Sequence, residues 1–207
     1  MSDKFENRAY QFELRAETDE QHGNIITGRP IVYGSITNIG PYDEVIEPGA
    51  LVGCDLKDVR FLVNHDLSRI PLARSRNNNA NSTMQLMPNE FGMDIRVDLD
   101  TENNTESKAL YSAVDRGDIS GMSFRFRVGE EEWENLQSDH PIRHIKKITR
   151  VIEVSAVTVP AYDATTIQAR DISEALESAR AALESARNVS LESDLELEKL
   201  KIKYRFL

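Results

Sequence analysis

From Met122 to Val128 the chain alternates without a fault. Met122, Phe124, Phe126 and Val128 are apolar, and Ser123, Arg125 and Arg127 between them are polar. A period of two marks a β-strand with one face in a core, whereas a helix needs an apolar stripe every three to four residues. Related patterns recur along the first 170 residues. Tyr10, Phe12, Leu14 and Ala16 alternate with polar residues, and Val59, Phe61, Val63 and His65 share one face of the run VRFLVNH. Residues 83–87 and 92–99 read as two strands joined by a Pro-Asn-Glu turn. Residues 24–33 read as a strand bent at Gly28 and Pro30, and 144–159 as a long strand stopped by Pro160. One internal helix is expected over 105–116, with Ala109, Leu110, Ala113 and Val114 as its stripe and Gly117 as its stop. The segment GEEEWENLQSD reads as an acidic loop. The expectation is an α+β, β-rich fold: an antiparallel sheet or barrel-like core with few helices.

The pattern changes near residue 170, which divides a body, 1–170, from a tail, 171–207. The six residues ALESAR occur at 175–180 and again at 182–187, a repeat of seven. Ile172, Leu176, Ala179 and Leu183 then fall on one helical face. A second helical piece is expected over 191–204, where acids precede bases in ELEKLKIK. The tail therefore reads as an amphipathic helical appendage that packs one face on the body or on a partner.

Charge narrows the function. The chain carries 25 Lys and Arg against 35 Asp and Glu, a net charge of −10. Only −2 of this belongs to the tail, so the body is the acidic part. An acidic body is a poor ligand for nucleic acid, whose nonspecific binding rests on Lys and Arg meeting phosphates. No stretch approaches the ~20 apolar residues of a membrane span, and the charged N-terminus lacks the apolar region of a signal peptide. With a single cysteine, Cys54, no internal disulfide is available. A soluble cytosolic protein is the expectation.

Standard sites are missing: there is no phosphate-binding Gly-rich loop and no paired C-x-x-C. His140 and His144 have a spacing that suits two metal ligands on a helix, but Pro141 lies between them and no third ligand is evident, so no metal is expected. Arg143, Lys146, Lys147 and Arg150 read as a solvated strand face, because no aromatics are interleaved with them. Cys54, in ALVGCDL, reads as a small packed residue. Three other residues suit catalysis if they converge. His65 ends a strand, where an imidazole can be held by the sheet while its tip reaches a cleft. Ser123 is polar in an otherwise half-apolar strand, two residues after Gly121. Glu153, in VIEVSAV, is a carboxylate on the predicted face of Val151, Ser155 and Val157; it must find a partner there, and an imidazole N–H would serve. Taken singly, each also has a plain reading: a rim histidine, a polar filler and an edge-strand acid facing water.

The ordered set GRPIVYG, EPGAL, NHD, GDISGMSFRF and EVSAVTVPAYDAT resembles the prohead (procapsid maturation) serine proteases of tailed bacteriophages, a family considered related in fold to the herpesvirus assemblins. The resemblance covers roughly residues 8–170. It implies a serine endopeptidase with His65 as general base, Ser123 as nucleophile and Glu153 as third member, and it leaves His140 or His144 as the alternative third member. It implies no metal or organic cofactor. The implied partners are the major capsid protein and its scaffolding segment, with self-association compatible and neither nucleic acid nor membrane involved. The implied location is the bacterial host cytoplasm, inside the procapsid. The helical tail would be a targeting and self-cleaved segment. The rival from another class is a non-enzymatic capsid-assembly factor that docks through the tail.

Overall fold

The computed structural model describes residues 5–10, 14–20, 23–158 and 169–205. Its strands are β1 (Glu6–Tyr10), β2 (Leu14–Asp19), β3 (Gly23–Val32), β4 (Thr37–Asn38), β5 (Asp43–Ile46), β6 (Asp58–Val63), β7 (Ala73–Arg76), β8 (Met84–Asn89), β9 (Gly92–Asp98), β10 (Gly121–Glu134) and β11 (Ile142–Val157). The helices are α1 (Thr105–Asp115) and α2 (Ala169–Arg205).

The strands form two sheets. One runs β1-β10-β11-β5-β4, with β6 and β7 attached at β11, and the other runs β2-β3-β9-β8. Neither closes into a barrel, so the β-rich α+β expectation holds in its open-sheet form. The larger sheet is not wholly antiparallel. β11 takes β10 antiparallel along one edge and, along the other, β5 and then β6 in parallel. Its 16 residues give it the length to hold both short strands end to end.

The alternation at 122–128 decides where the core lies. Met122, Phe124 and Phe126 are fully buried and meet Phe61, Val154 and Ala156 from the same sheet. Ile26, Ile31, Met93, Ile95 and Val97 from the smaller sheet join the same cluster. Burying each such large apolar side chain contributes about 1.5–3 kcal/mol. Helix α1 adds Leu110 and Val114, and the Asn104 side chain caps it by accepting from the N–H groups of Glu106 and Ser107. The bend expected in 24–33 appears as a register shift between Gly28 and Ile31. Opposite it, Gly92 has φ +143°, and a Cβ there would lie 1.9 Å from the Ile31 carbonyl oxygen; only glycine fits.

Several expectations are corrected. The run Tyr10 to Ala16 is divided between the two sheets, β1 in one and β2 in the other, and Phe12 lies outside the described residues. The acidic segment after Val128 is not a loop up to Glu134 but the continuation of β10. Ion pairs of Glu130 with Lys147 and Glu132 with Lys146 line this exposed stretch, where hydropathy carries no strand signal. β11 ends at Val157; Val159 and Pro160 lie outside the described residues. The tail is one helix rather than two pieces. Ala179 and Leu183 pack on Ile39, Tyr42, Trp133 and Leu136, while Leu191, Leu195, Leu197, Leu200 and Ile202 are exposed. The Ile172 side chain lies outside what is described. No described helix is long and apolar enough to cross a membrane.

Candidate functional site

β6 delivers His65, though not by alternation. The strand stops at Val63, and Asn64 and His65 both take left-handed backbone conformations, with φ 51° and 59°. Two such non-glycine residues in succession are uncommon, although Asn and His tolerate the region best. The turn is held from both sides. The Asn64 N–H donates to the Ala156 carbonyl at 3.0 Å, and its side-chain oxygen accepts from the Thr158 N–H at 3.0 Å. This sharp turn swings the imidazole off its own strand and over β11.

β11 delivers Glu153 by a bulge. Arg125 is opposite Glu153, whereas its neighbour Phe126 is opposite Val151, so β11 carries one extra residue, Ile152, at this point. Alternation alone puts Val151 and Glu153 on one face. The bulge instead leaves Val151 in the core with Val154 and turns Glu153 to the other face, with Ser155. There Glu153 is fully buried and doubly satisfied. The His65 Nδ1–H donates to Glu153 Oε1 at 2.5 Å, and the Ser155 hydroxyl donates to Oε2 at 2.6 Å. The His65 backbone N–H donates to Ser155 Oγ at 3.2 Å, which closes the ring of contacts. With Nδ1 engaged by the carboxylate, Nε2 is the nitrogen left to exchange protons. Among the described residues it has no hydrogen-bond partner.

Ser123 lies in β10, on the other side of β11 from β6. Its cross-strand partner is Ser155, so the two serines share a face, with Cβ atoms about 4.5–5.5 Å apart by the geometry of such pairs. Ser123 is fully buried, and its hydroxyl donates to the Arg8 carbonyl of β1 at 2.8 Å. No hydrogen bond joins it to His65 in this arrangement. The structure thus brings His65 and Glu153 into contact and sets Ser123 opposite the serine that links them.

The histidines left as alternatives lie elsewhere. His144 is nine residues before Glu153 on β11, roughly 30 Å at strand rise. Its Nδ1 pairs with Glu47 at 2.7 Å, and His140 Nε2 pairs with Asp43 at 2.9 Å. Cys54 is half-buried, and burial pushes its thiol up to about 12, far from the thiolate a nucleophile needs. The basic face is as expected at Lys146 and Lys147, but not at Arg143, which is fully buried. Arg150 pairs with Asp55. Arg125 lies two residues from Ser123 on its face, and among the described residues its buried Nε has no hydrogen-bond partner.

Sequence reasoning did not single out two participants. Ser155 carried a usable signal, since it is two residues from Glu153 in a strand. Arg8 carried none, because its contact with Ser123 is through a backbone carbonyl.

No curated protein and no solved structure matches the chain. A family model, that of the caudovirus prohead serine proteases, matches residues 10–178, the whole described sheet structure from β2 onward and the start of α2. With that match spanning most of its length, the chain belongs to the caudovirus prohead serine protease family, a family of phage procapsid-maturation proteases.

Proposed function

We propose that the protein is the endopeptidase that cuts the scaffolding segment of its capsid protein, or a separate scaffold, and itself, inside the procapsid in the host cytoplasm. Ser123 is the nucleophile, His65 the base and Glu153 the third member. The observation that carries this reading is the Nδ1–H···Oε1 pair of the part-buried His65 and the buried Glu153, on the face that Ser123 occupies. A fully buried carboxylate held by an imidazole fixes the ring's tautomer and supports its charged form, which is what a triad asks of its acid.

In the reaction, the Ser123 hydroxyl leaves the Arg8 carbonyl by rotation about χ1 and turns toward His65 Nε2. His65 takes its proton as Oγ attacks the scissile carbonyl, then returns the proton to the leaving amine; water repeats the cycle on the acyl-enzyme. Backbone N–H groups beside Ser123, or the Arg125 guanidinium, stabilise the oxyanion. Because Ser123 is enclosed in the resting arrangement, substrate access requires the surrounding segments to part.

The test is co-expression with the phage's capsid protein, read as capsid-protein length by mass spectrometry. Wild type yields a shortened product and His65→Ala does not. Equal product from both, or full-length capsid protein from both, overturns the reading; the second is what a non-enzymatic assembly factor gives.

A further inference from the structure

Glu153 has two carboxylate oxygens and, among the described residues, two hydrogen-bond donors from side chains: His65 on Oε1 and Ser155 on Oε2. The second donor is not a spectator by position. Ser155 is fully buried, and its single oxygen works in both directions, donating to Glu153 and accepting from the His65 N–H. We infer that Ser155 is a positioning residue for the His65–Glu153 pair, fixing the rotation of the carboxylate and the backbone turn from which the imidazole projects. The inference rests on the reading of His65 and Glu153 as catalytic partners and assigns Ser155 no contact with substrate.

The physical need is clear on both sides. A carboxylate bound at one oxygen only can rotate about its terminal torsion, which is broad and weakly held. A donor on the second oxygen removes that freedom and keeps Oε1 aimed at Nδ1. His65, at φ 59°, sits in a conformation that L-residues leave readily unless the surroundings hold it. Its N–H can satisfy itself on Ser155 only while the turn is formed. One hydroxyl therefore couples β6's end to β11, and both catalytic side chains depend on it.

Ser155→Thr and Ser155→Val decide the matter, since the two have the same shape and differ in the hydroxyl alone. The first readout is the downfield proton resonance of a short imidazole–carboxylate hydrogen bond, assigned to His65 by its absence in His65→Gln. It is retained in Ser155→Thr and lost or moved in Ser155→Val. The second is cleavage of capsid protein. Ser155→Val lowers kcat by about 10- to 100-fold relative to Ser155→Thr, with KM within twofold, as expected when a catalytic group is misplaced rather than removed. A His65 resonance unchanged in Ser155→Val overturns the inference. Because that measurement needs no substrate, it stands even if Ser123→Ala remains active and the protease reading itself fails.

Discussion

Ser123→Ala lowers kcat/KM for capsid-protein cleavage by about 10⁴-fold or more, with the fold intact. The size follows from the role proposed for the hydroxyl. His65 and Glu153 can move a proton, but without Oγ no acyl-enzyme forms, and only binding and oxyanion stabilisation remain. The variant should be nearly as stable as the parent. Among the described residues the Ser123 side chain makes one hydrogen bond, to the Arg8 carbonyl, and a bond of that kind contributes about 0.5–1.5 kcal/mol. Activity and stability thus separate at this residue, which is what distinguishes a nucleophile from a structural serine. Single-turnover cleavage and a urea melt on the same preparation give both quantities. Cleavage within tenfold of wild type removes Ser123 from the mechanism.

The extent to which this site was legible depended on how local its determinants are. Helix α1 was readable to within a residue because its stripe and terminating glycine both lie in or beside the segment itself. The core face of β10 was readable for the same reason: Met122, Phe124 and Phe126 follow the pleat. The orientation of Glu153 was not. Its face is reversed relative to Val151 by a bulge at Ile152, and a bulge is set by pairing with β10, which no count along β11 reveals. His65 was identified as a strand-end residue, but its direction comes from two left-handed residues rather than from alternation. Arg143 was misread most fully. An arginine among lysines looks solvated, and only the arrival of Glu6, Glu44 and Glu131 from three other strands makes its burial tolerable.

That arrival produces the second large effect. Arg8 and Arg143 are both fully buried with Glu6 and Glu44 around them. Arg8 binds Glu44 through Nε at 2.5 Å and Nη2 at 2.7 Å, and Arg143 binds Glu6 at 2.7 and 2.9 Å. Tyr42 closes the cluster: its hydroxyl lies 3.4 Å from both guanidinium groups. Glu44→Ala leaves Arg8 and Arg143 sharing the buried Glu6, with the part-exposed Glu131 remaining on Arg143 alone, and should cost about 3–5 kcal/mol. Glu132→Ala, which breaks only the exposed pair with Lys146, should cost under about 1 kcal/mol. Urea midpoints of the two variants make the comparison, and equal midpoints overturn it.

The same cluster gives a pH dependence. Burial pushes the Glu6 carboxyl up, but the charges and hydrogen bonds of Arg8 and Arg143 outweigh it and hold it at about 2, against 4.5 when unperturbed. A group depressed by folding stabilises the protein fully above its unfolded value and loses that contribution as pH falls toward its folded one. Stability should therefore decline between pH 4.5 and 2, and this component should be absent in Glu6→Gln; an acid limb identical in the two proteins refutes the assignment. The consequence reaches the proposed catalytic face through β1. The cluster anchors Arg8, and the carbonyl of that residue holds the Ser123 hydroxyl, so acid that loosens the anchor also releases the serine. Between pH 4.5 and 2, β1 should therefore gain amide exchange ahead of the amides that pair β10 with β11, a ladder that does not include Glu6.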